Sequence, residues 1–293
     1  MSDAQSGKTP GLSADEEQEV SHNQPPRAAV LHEIIRYQGD QELERTLAAL
    51  WWSALAAGLT MGLSLMAMGL FYARLPEGDS AQVIASLGYG AGFLAVILAR
   101  QQLFTENTLT AVLPVMTTPT LANLGRLLRL WSIVLLGNLA GTLLVAWVML
   151  ELPIFDGKTD TAFLEVGRKV MENSSFQMFA KGIVSGWMIA TMVWMIPSME
   201  HAKIWIILMI TYLMALGDFT HIVVGSVEVS YLVWAGEQTW RAYWLDFALP
   251  TLAGNIMGGS FIFALISHAQ VRSDSGKPPS KLLKNAKDSR TDH

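Results

Sequence analysis

The sequence predicts an all-α membrane protein with six transmembrane helices, arranged as two inverted three-helix repeats whose second and fifth helices are broken. Three observations predict this class: long apolar windows, an uneven distribution of basic residues between alternate loops, and motifs that recur in the two halves. Charged residues make up only 15% of the 293 positions, against about 25% in ordinary soluble domains. The composition therefore favours a polytopic membrane protein over a soluble helical bundle.

Four regions follow one another along the chain. Residues 1–26 are polar and acidic and lack the basic-then-apolar order of a signal peptide, so they are predicted to be a disordered cytoplasmic tail. Residues 27–45 mix apolar and charged positions, which fits an amphipathic helix at the membrane surface and equally a plain linker. Residues 46–270 hold the spans, and residues 271–293 form a basic cytoplasmic tail.

The apolar windows are long enough to cross a bilayer, which takes roughly 20 residues. RQQLFTEN (100–107) interrupts the second window, and GDFTH (217–221) interrupts the fifth. Irregular backbone at membrane depth is tolerated only where it is buried or lines an aqueous cavity. The two interruptions are therefore expected to face each other around a pore. The predicted spans are 47–71, 83–113, 130–152, 179–196, 204–234 and 247–267.

Basic residues give the orientation. With the N-terminus inside, the inner segments hold thirteen Lys and Arg residues and the outer loops hold five. Cytoplasmic segments carry the excess of basic residues. Both termini are thus predicted to be cytoplasmic, which requires an even number of spans.

The two halves of the chain echo each other. GNLAG (137–141) recurs as GNIMG (254–258), and Phe104-Thr105 recurs as Phe219-Thr220. Pairs of glycines four residues apart precede both sets, at 58/62 and at 182/186. Three spans per repeat invert the second copy, and inverted repeats with interrupted helices point to a pathway at their interface near the midplane.

Several classes of protein are disfavoured. The chain has no cysteine, which removes thiolate chemistry and cysteine-based metal sites. It has no HExxH, no GxSxG and no paired aspartates in the spans. It also lacks a basic stripe with interleaved aromatics, as nucleic-acid binding would need. We expect no enzyme activity, no cofactor, no metal and no nucleic-acid partner.

The motifs LFTEN (103–107), GNLAG (137–141), FTH (219–221) and GN (254–255), in this order, resemble the formate/nitrite transporter family over residues 27–270. The YfdC-like branch looks most similar. The resemblance implies an aquaporin-like fold, a homopentamer in the lipid of the bacterial inner membrane, and one pore per protomer. The family's substrates are small monovalent anions of weak acids, such as formate, nitrite, hydrosulfide, acetate or lactate.

The resemblance also implies a substrate pathway. His221 matches the family's central histidine, Thr105 a loop threonine, and Leu103 and Phe104 an apolar constriction. The remaining matches are three further constriction positions and an outer-vestibule lysine: Tyr89, Phe93, Met214 and Lys169. The sequence departs from the characterised members at Gln102 and Thr220, where they have acidic residues, at Gly225, where they have asparagine, and at Arg100.

The chemistry of the central histidine suits this role. Its unperturbed pKa of about 6.5 places its charge change near neutrality, so it could give a proton to an anion that is costly to desolvate. Thr105, Thr220 and loop amides would supply hydrogen-bond donors. The alternative is a core histidine bonded to a backbone carbonyl.

Other residues and other functions complete the predictions. Asp218 and Glu106 are expected to cap resumed helices, and Glu228 to pair with Lys181 or Arg100. Two other functions stay open. One is a channel for neutral solutes such as water or glycerol, although the usual NPA motifs are absent. The other is a structural or sensory membrane protein without transport.

Overall fold

A computed structural model describes residues 26–76 and 78–275, together with the isolated positions Ser13, Asp15, Glu16 and Glu19. Most of the two predicted tails, 1–26 and 271–293, therefore lies outside the described residues. Every regular element within the described part is a helix, so the predicted all-α class is confirmed. Among the described residues, five helices are long and apolar enough to cross a membrane.

The helices are numbered here in chain order. They are α1 (Ala28–Glu44), α2 (Leu47–Tyr72), α3 (Ser80–Leu98), α4 (Val112–Thr117), α5 (Leu121–Glu151), α6 (Gly157–Met171), α7 (Ser175–Met195), α8 (Lys203–Leu216), α9 (Ile222–Trp234) and α10 (Trp240–Ser273). The five long apolar helices are α2, α3, α5, α7 and α10. Helix α5 begins at Leu121, before the predicted start at residue 130. The 26 to 34 residues of α2, α5 and α10 exceed the roughly 20 needed to span.

Helix α1 lies against the bundle with one face. Its buried residues Leu31, Ile35, Gly39 and Leu43 are spaced by four, the spacing that places side chains on one side of a helix. The opposite face carries an ion pair between Arg36 and Asp40 at 2.6 Å. This arrangement packs α1 against α4 and against the end of α10.

Helix α6 lies in the segment between the third and fourth predicted spans, where the sequence analysis names no helix. Asp156 caps it by accepting a hydrogen bond from the Thr159 amide at 2.8 Å. Phe163 and Val166 are buried on the face that packs against α2 and α9. The ring of Phe163 meets that of Tyr231 at 5.5 Å. The helix is too amphipathic and too short to give a spanning signal, but it forms one wall of the site.

Two helix pairs carry the core, α2 with α5 and α7 with α10. Small residues let each pair approach closely. A Cβ on Gly58 would lie 2.2 Å from the carbonyl oxygen of Asn138, and one on Gly186 would lie 2.3 Å from that of Asn255. Backbone stands at both contacts, so neither glycine can be replaced without moving the helices apart.

Two non-helical segments, 99–105 and 217–221, interrupt the helices in the middle of the fold. Both follow a helix that ends in the same way. Arg100 (φ 53°) and Asp218 (φ 50°) adopt the left-handed conformation just beyond α3 and α8. The amide of Gln101 then bonds the Val96 carbonyl, and that of Phe219 bonds the Met214 carbonyl, both at 3.0 Å. This is the Schellman pattern, in which a left-handed residue ends the helix.

Candidate functional site

His221 is the last residue of the second non-helical segment and faces the first. It is the N-cap of α9, and its Nδ1 accepts a hydrogen bond from the Val224 amide at 3.3 Å. Its Nε2 lies 2.7 Å from the hydroxyl oxygen of Thr105. In the neutral tautomer that this assignment requires, Nε2–H donates to Thr105. The hydroxyl hydrogen of Thr105 is then left free to donate to another group.

Aromatic and aliphatic side chains enclose this contact. The ring of Phe93 lies 5.1 Å from that of His221, and the ring of Tyr89 lies 5.5 Å from that of Phe93. On the other segment, Leu103 and Phe104 are buried, and Phe104 meets Trp131 edge-on at 5.7 Å. His221 itself is 1% exposed. The imidazole is thus a polar group in largely apolar surroundings.

A cavity of about 590 Å³, including its open mouth, is lined by His221. Five of the nine predicted pathway residues line it: Tyr89, Lys169, Met214, Thr220 and His221. The other four do not line it. Phe93 and Thr105 contact His221, while Leu103 and Phe104 precede Thr105 in the same segment. The predicted residues are therefore brought together around the histidine, with some in the cavity and some beyond it.

The mouth of the cavity carries an ion pair. The Lys169 amine lies 2.7 Å from a carboxylate oxygen of Asp218, and both side chains are about one-third exposed, at 36% and 37%. Lys169 comes from α6 and Asp218 from the segment before His221, so the pair joins two walls. The positive charge predicted at this vestibule is therefore balanced by an acidic neighbour.

Each non-helical segment is held by one asparagine. Asn138 Oδ1 accepts the Phe104 amide at 2.9 Å, and Asn255 Oδ1 accepts the Ile222 amide at 2.9 Å. The Asn255 side-chain amide also donates to the Thr220 carbonyl at 3.2 Å. By this criterion the counterpart of Phe104 is Ile222. The predicted equivalence with Phe219 is wrong, because the two Phe-Thr dipeptides lie at different positions relative to these bonds.

Three of the predicted roles for charged residues are wrong. Asp218 does not cap α9, because it ends α8 in a left-handed conformation, which Asp tolerates well, and His221 is the cap. Glu106 makes no capping hydrogen bond at the short 3₁₀ turn that it begins. Glu228 forms no ion pair with Lys181 or Arg100. The hydroxyl of Thr220, predicted as a donor to substrate, donates to the Met178 carbonyl at 2.8 Å.

The sequence analysis missed some residues of the cavity. Glu228 and Tyr72 line it, as do the polar side chains of Gln82, Ser86 and Asn173. The sequence did offer a signal for Glu228, because it is the one charged residue in the otherwise apolar helix α9. No local pattern marks the others, because they meet only when α2, α3 and α6 assemble.

A cavity that enters a bundle of long apolar helices and is lined by a buried histidine is typical of a membrane channel or transporter. A sequence model of the family described as "Formate/nitrite transporter" matches residues 29–269. The chain belongs to this family of membrane transport proteins. The resemblance stated from the motifs is thereby confirmed.

Relatives and solved structures agree with this family. The chain is 57% identical over 250 residues to "Inner membrane protein YfdC" of Escherichia coli (strain K12), covering 85% of this chain and 81% of the relative. It is 22% identical over 234 residues to "Formate channel FocA" of Haemophilus influenzae, covering 70% of this chain and 81% of the relative.

Two solved structures share the fold. One is "FNT family ion channel", with a TM-score of 0.67, 21% identity, and coverage of 83% of this chain and 96% of that chain. The other is "Pentameric formate channel with formate bound", with a TM-score of 0.63, 17% identity, and coverage of 76% and 96%. At such identities the likeness shows the fold alone.

Proposed function

We propose that the protein transports small monovalent anions of weak acids, such as formate or nitrite, through a pore in each protomer, with His221 as the central protonatable group. Family membership supports transport of this class. The names of relatives and of a solved structure describe formate channels. The observation that carries the proposal is the 2.7 Å contact between Nε2 of His221, a residue that lines the cavity, and Oγ1 of Thr105 in the other non-helical segment.

The chemistry follows from the cost of moving a charge through apolar surroundings. A bare anion near the bilayer centre is expensive to desolvate. In the proposed mechanism an anion that moves from the cavity to His221 accepts a hydrogen bond from the Thr105 hydroxyl and a proton from His221, which regains a proton from water in the cavity. The neutral acid then passes the apolar residues. The N-terminal end of α9, next to His221, adds a positive dipole that favours the anion before protonation.

The other predicted residues take roles around this step. Tyr89 and Met214 line the cavity on the outer side of His221. Phe93, Leu103 and Phe104 supply the apolar constrictions. Lys169 attracts anions at the mouth, and Thr220 forms part of the wall.

We further propose six spans as two inverted repeats, with α3 continued by α4 and α8 continued by α9. The two matching helix ends support this pairing, and so do the two asparagines that hold the segments. We also propose a homopentamer, as in the solved pentameric formate channel. Its proposed location is a bacterial inner membrane, as for the inner membrane relative, with both termini in the cytoplasm. The proposed fold is aquaporin-like.

Uptake by the purified full-length chain in liposomes tests the function. The panel is formate, nitrite, acetate, lactate, hydrosulfide, chloride, water and glycerol, at acidic and neutral pH, with protein-free liposomes as the control. The proposal expects uptake of weak-acid anions that rises as the pH falls. Flux of water or glycerol alone would favour a neutral-solute channel. A protein that carries nothing would contradict transport and favour a structural or sensory role.

A further inference from the structure

Glu228 places a carboxyl group inside the cavity, halfway along α9. The residue is 5% exposed and lines the cavity together with His221 and Gly225. Gly225 follows His221 by four residues, and Glu228 follows Gly225 by three. The three positions therefore lie on one face of α9 and its N-cap. Gly225 has no side chain to separate the imidazole from the carboxyl. A Cβ at Gly225 would lie 3.8 Å from Glu228 Oε2.

This carboxyl group has no partner among the described residues. No hydrogen bond or ion pair from another residue of 26–76 and 78–275 reaches its oxygens, which open onto the cavity. The cation of the cavity, Lys169 from α6, is bonded to Asp218. Buried polar groups usually have a partner, and an unpaired buried carboxylate is costly. The fold itself therefore gives no reason for an acid at this position.

The groups around it offer no compensation either. The other titratable side chains that face the cavity are Tyr72 from α2, Tyr89 from α3, Lys169 from α6, and Asp218 and His221. Helix α10 contributes the ring of Phe247, and α5 contributes no lining residue. Once Lys169 and Asp218 balance each other, the charge state of Glu228 decides the net charge beside His221.

We propose that Glu228 is a second proton-binding group of the transport pathway, which binds a proton when an anion occupies the cavity. This inference rests on the proposed function. As a carboxylate, Glu228 only accepts hydrogen bonds and repels an anion. As a carboxylic acid it donates one O–H to the anion. Because each of the two ligands favours binding of the other, the coupling is reciprocal. The cavity thus collects an anion and a proton together, the pair that passes the constriction as neutral acid.

Glu228→Gln tests this, because glutamine keeps the shape and the donor but never ionises. The probe is formate uptake by liposomes containing the full-length chain. At about pH 5.5 the proposed binding of a proton together with the anion converts the wild-type carboxylate to the acid, so the variant and the wild type should carry formate at similar rates. At about pH 9 the wild-type carboxylate repels the anion, so the variant should be at least about tenfold faster. Glu165→Gln, an exposed carboxylate of α6 that does not line the cavity, is the matched control and should follow the wild type.

A second measurement keeps the proposal testable if Glu228→Gln does not fold. Formate added to weakly buffered detergent-solubilised His221→Asn protein should cause proton uptake, because the carboxyl still binds a proton when the imidazole is gone. The role of Glu228 would be overturned if formate caused no proton uptake by the His221→Asn protein. It would also be overturned if the ratio of the Glu228→Gln transport rate to the wild-type rate stayed constant with pH. Either result would leave anion transport intact. A wild type that carries no weak-acid anion at any pH would instead refute the proposed function, and this inference with it.

Discussion

His221 occupies the position in the second half of the chain that Leu103 occupies in the first. Each residue is the third after a left-handed helix end, at Asp218 and at Arg100. Each also precedes the amide that an asparagine side chain accepts at 2.9 Å. The same backbone arrangement therefore presents the imidazole of His221 in the second segment and the aliphatic side chain of Leu103 in the first. This asymmetry places the titratable group on one segment, while the other supplies the hydroxyl of Thr105 that bonds it.

The hydroxyl of Thr105 should be essential for anion transport. Thr105→Val keeps the size of the side chain but removes the group that accepts from His221 and donates to the anion. Hydrogen bonds to charged groups contribute about 1.5–3 kcal/mol, so we expect formate uptake in liposomes to fall by roughly 10- to 100-fold. Thr105→Ser should retain most activity. The exposed Thr161→Val on α6 should have no effect, and equal activity of Thr105→Val and wild type would contradict the mechanism.

The asparagines that hold the two segments should contribute strongly to stability. Asn255 makes four buried hydrogen bonds, and Asn255→Ala removes all four and leaves the Ile222 amide without its acceptor. At about 1–3 kcal/mol for the unsatisfied amide and about 1 kcal/mol for each of the other three bonds, the loss should exceed about 3 kcal/mol. Thermal unfolding followed by tryptophan fluorescence in detergent measures it. Asn123→Ala, which loses one surface hydrogen bond from the side-chain amide to the Thr118 carbonyl, should cost about 1 kcal/mol or less, and similar losses for both variants would count against this role.

Close helix contact should make Gly186 intolerant of any side chain. Its Cβ would stand 2.3 Å from the backbone oxygen of Asn255, whereas no atom lies within 4 Å of a Cβ on Gly125. We expect Gly186→Ala to give little monodisperse protein on size-exclusion chromatography. Gly125→Ala should be unaffected, or more stable by up to about 1 kcal/mol from helix propensity. A normal elution profile for Gly186→Ala would show that the helices are packed less closely than described.

The acidic partner at the mouth should slow the entry of anions. Asp218→Asn removes the charge that balances Lys169, and asparagine tolerates the left-handed conformation at this position. Formate uptake at low ionic strength should therefore increase several-fold, and the gain should shrink near 0.15 M salt, where the Debye length is about 8 Å. Lys169→Gln should change uptake in the opposite direction. A gain that is independent of salt would point to a cause other than electrostatic attraction.

The sequence predicts the fold better than it predicts the contacts of the site. Apolar length and polar interruptions are local signals, and the predicted interruption at 217–221 coincides with the segment between α8 and α9. The motifs around Thr105 and His221 identify the family and bring both residues into the predicted site. Helix α6 was missed because its amphipathic pattern buries only one face.

The remaining errors concern pairings between distant residues. The bond from Thr220 to Met178 and the pair between Asp218 and Lys169 depend on how helices cross. Among the described residues Glu228 has no partner, and only the assembled cavity shows this. The candidate cations Lys181 and Arg100 are distant from Glu228 along the chain, so the sequence alone does not tell whether they meet it. Composition and spacing carry no information about such contacts.

Replacement of the central histidine tests the account most directly. His221→Asn retains a side chain that can cap α9 but cannot titrate. The account predicts that pH-dependent formate uptake in liposomes falls by about 100-fold or more, the contribution expected of a positioned proton donor. The exposed His201→Gln should transport as the wild type does. Uptake by His221→Asn with wild-type rate and pH dependence would contradict the central claim that His221 supplies the proton for transport.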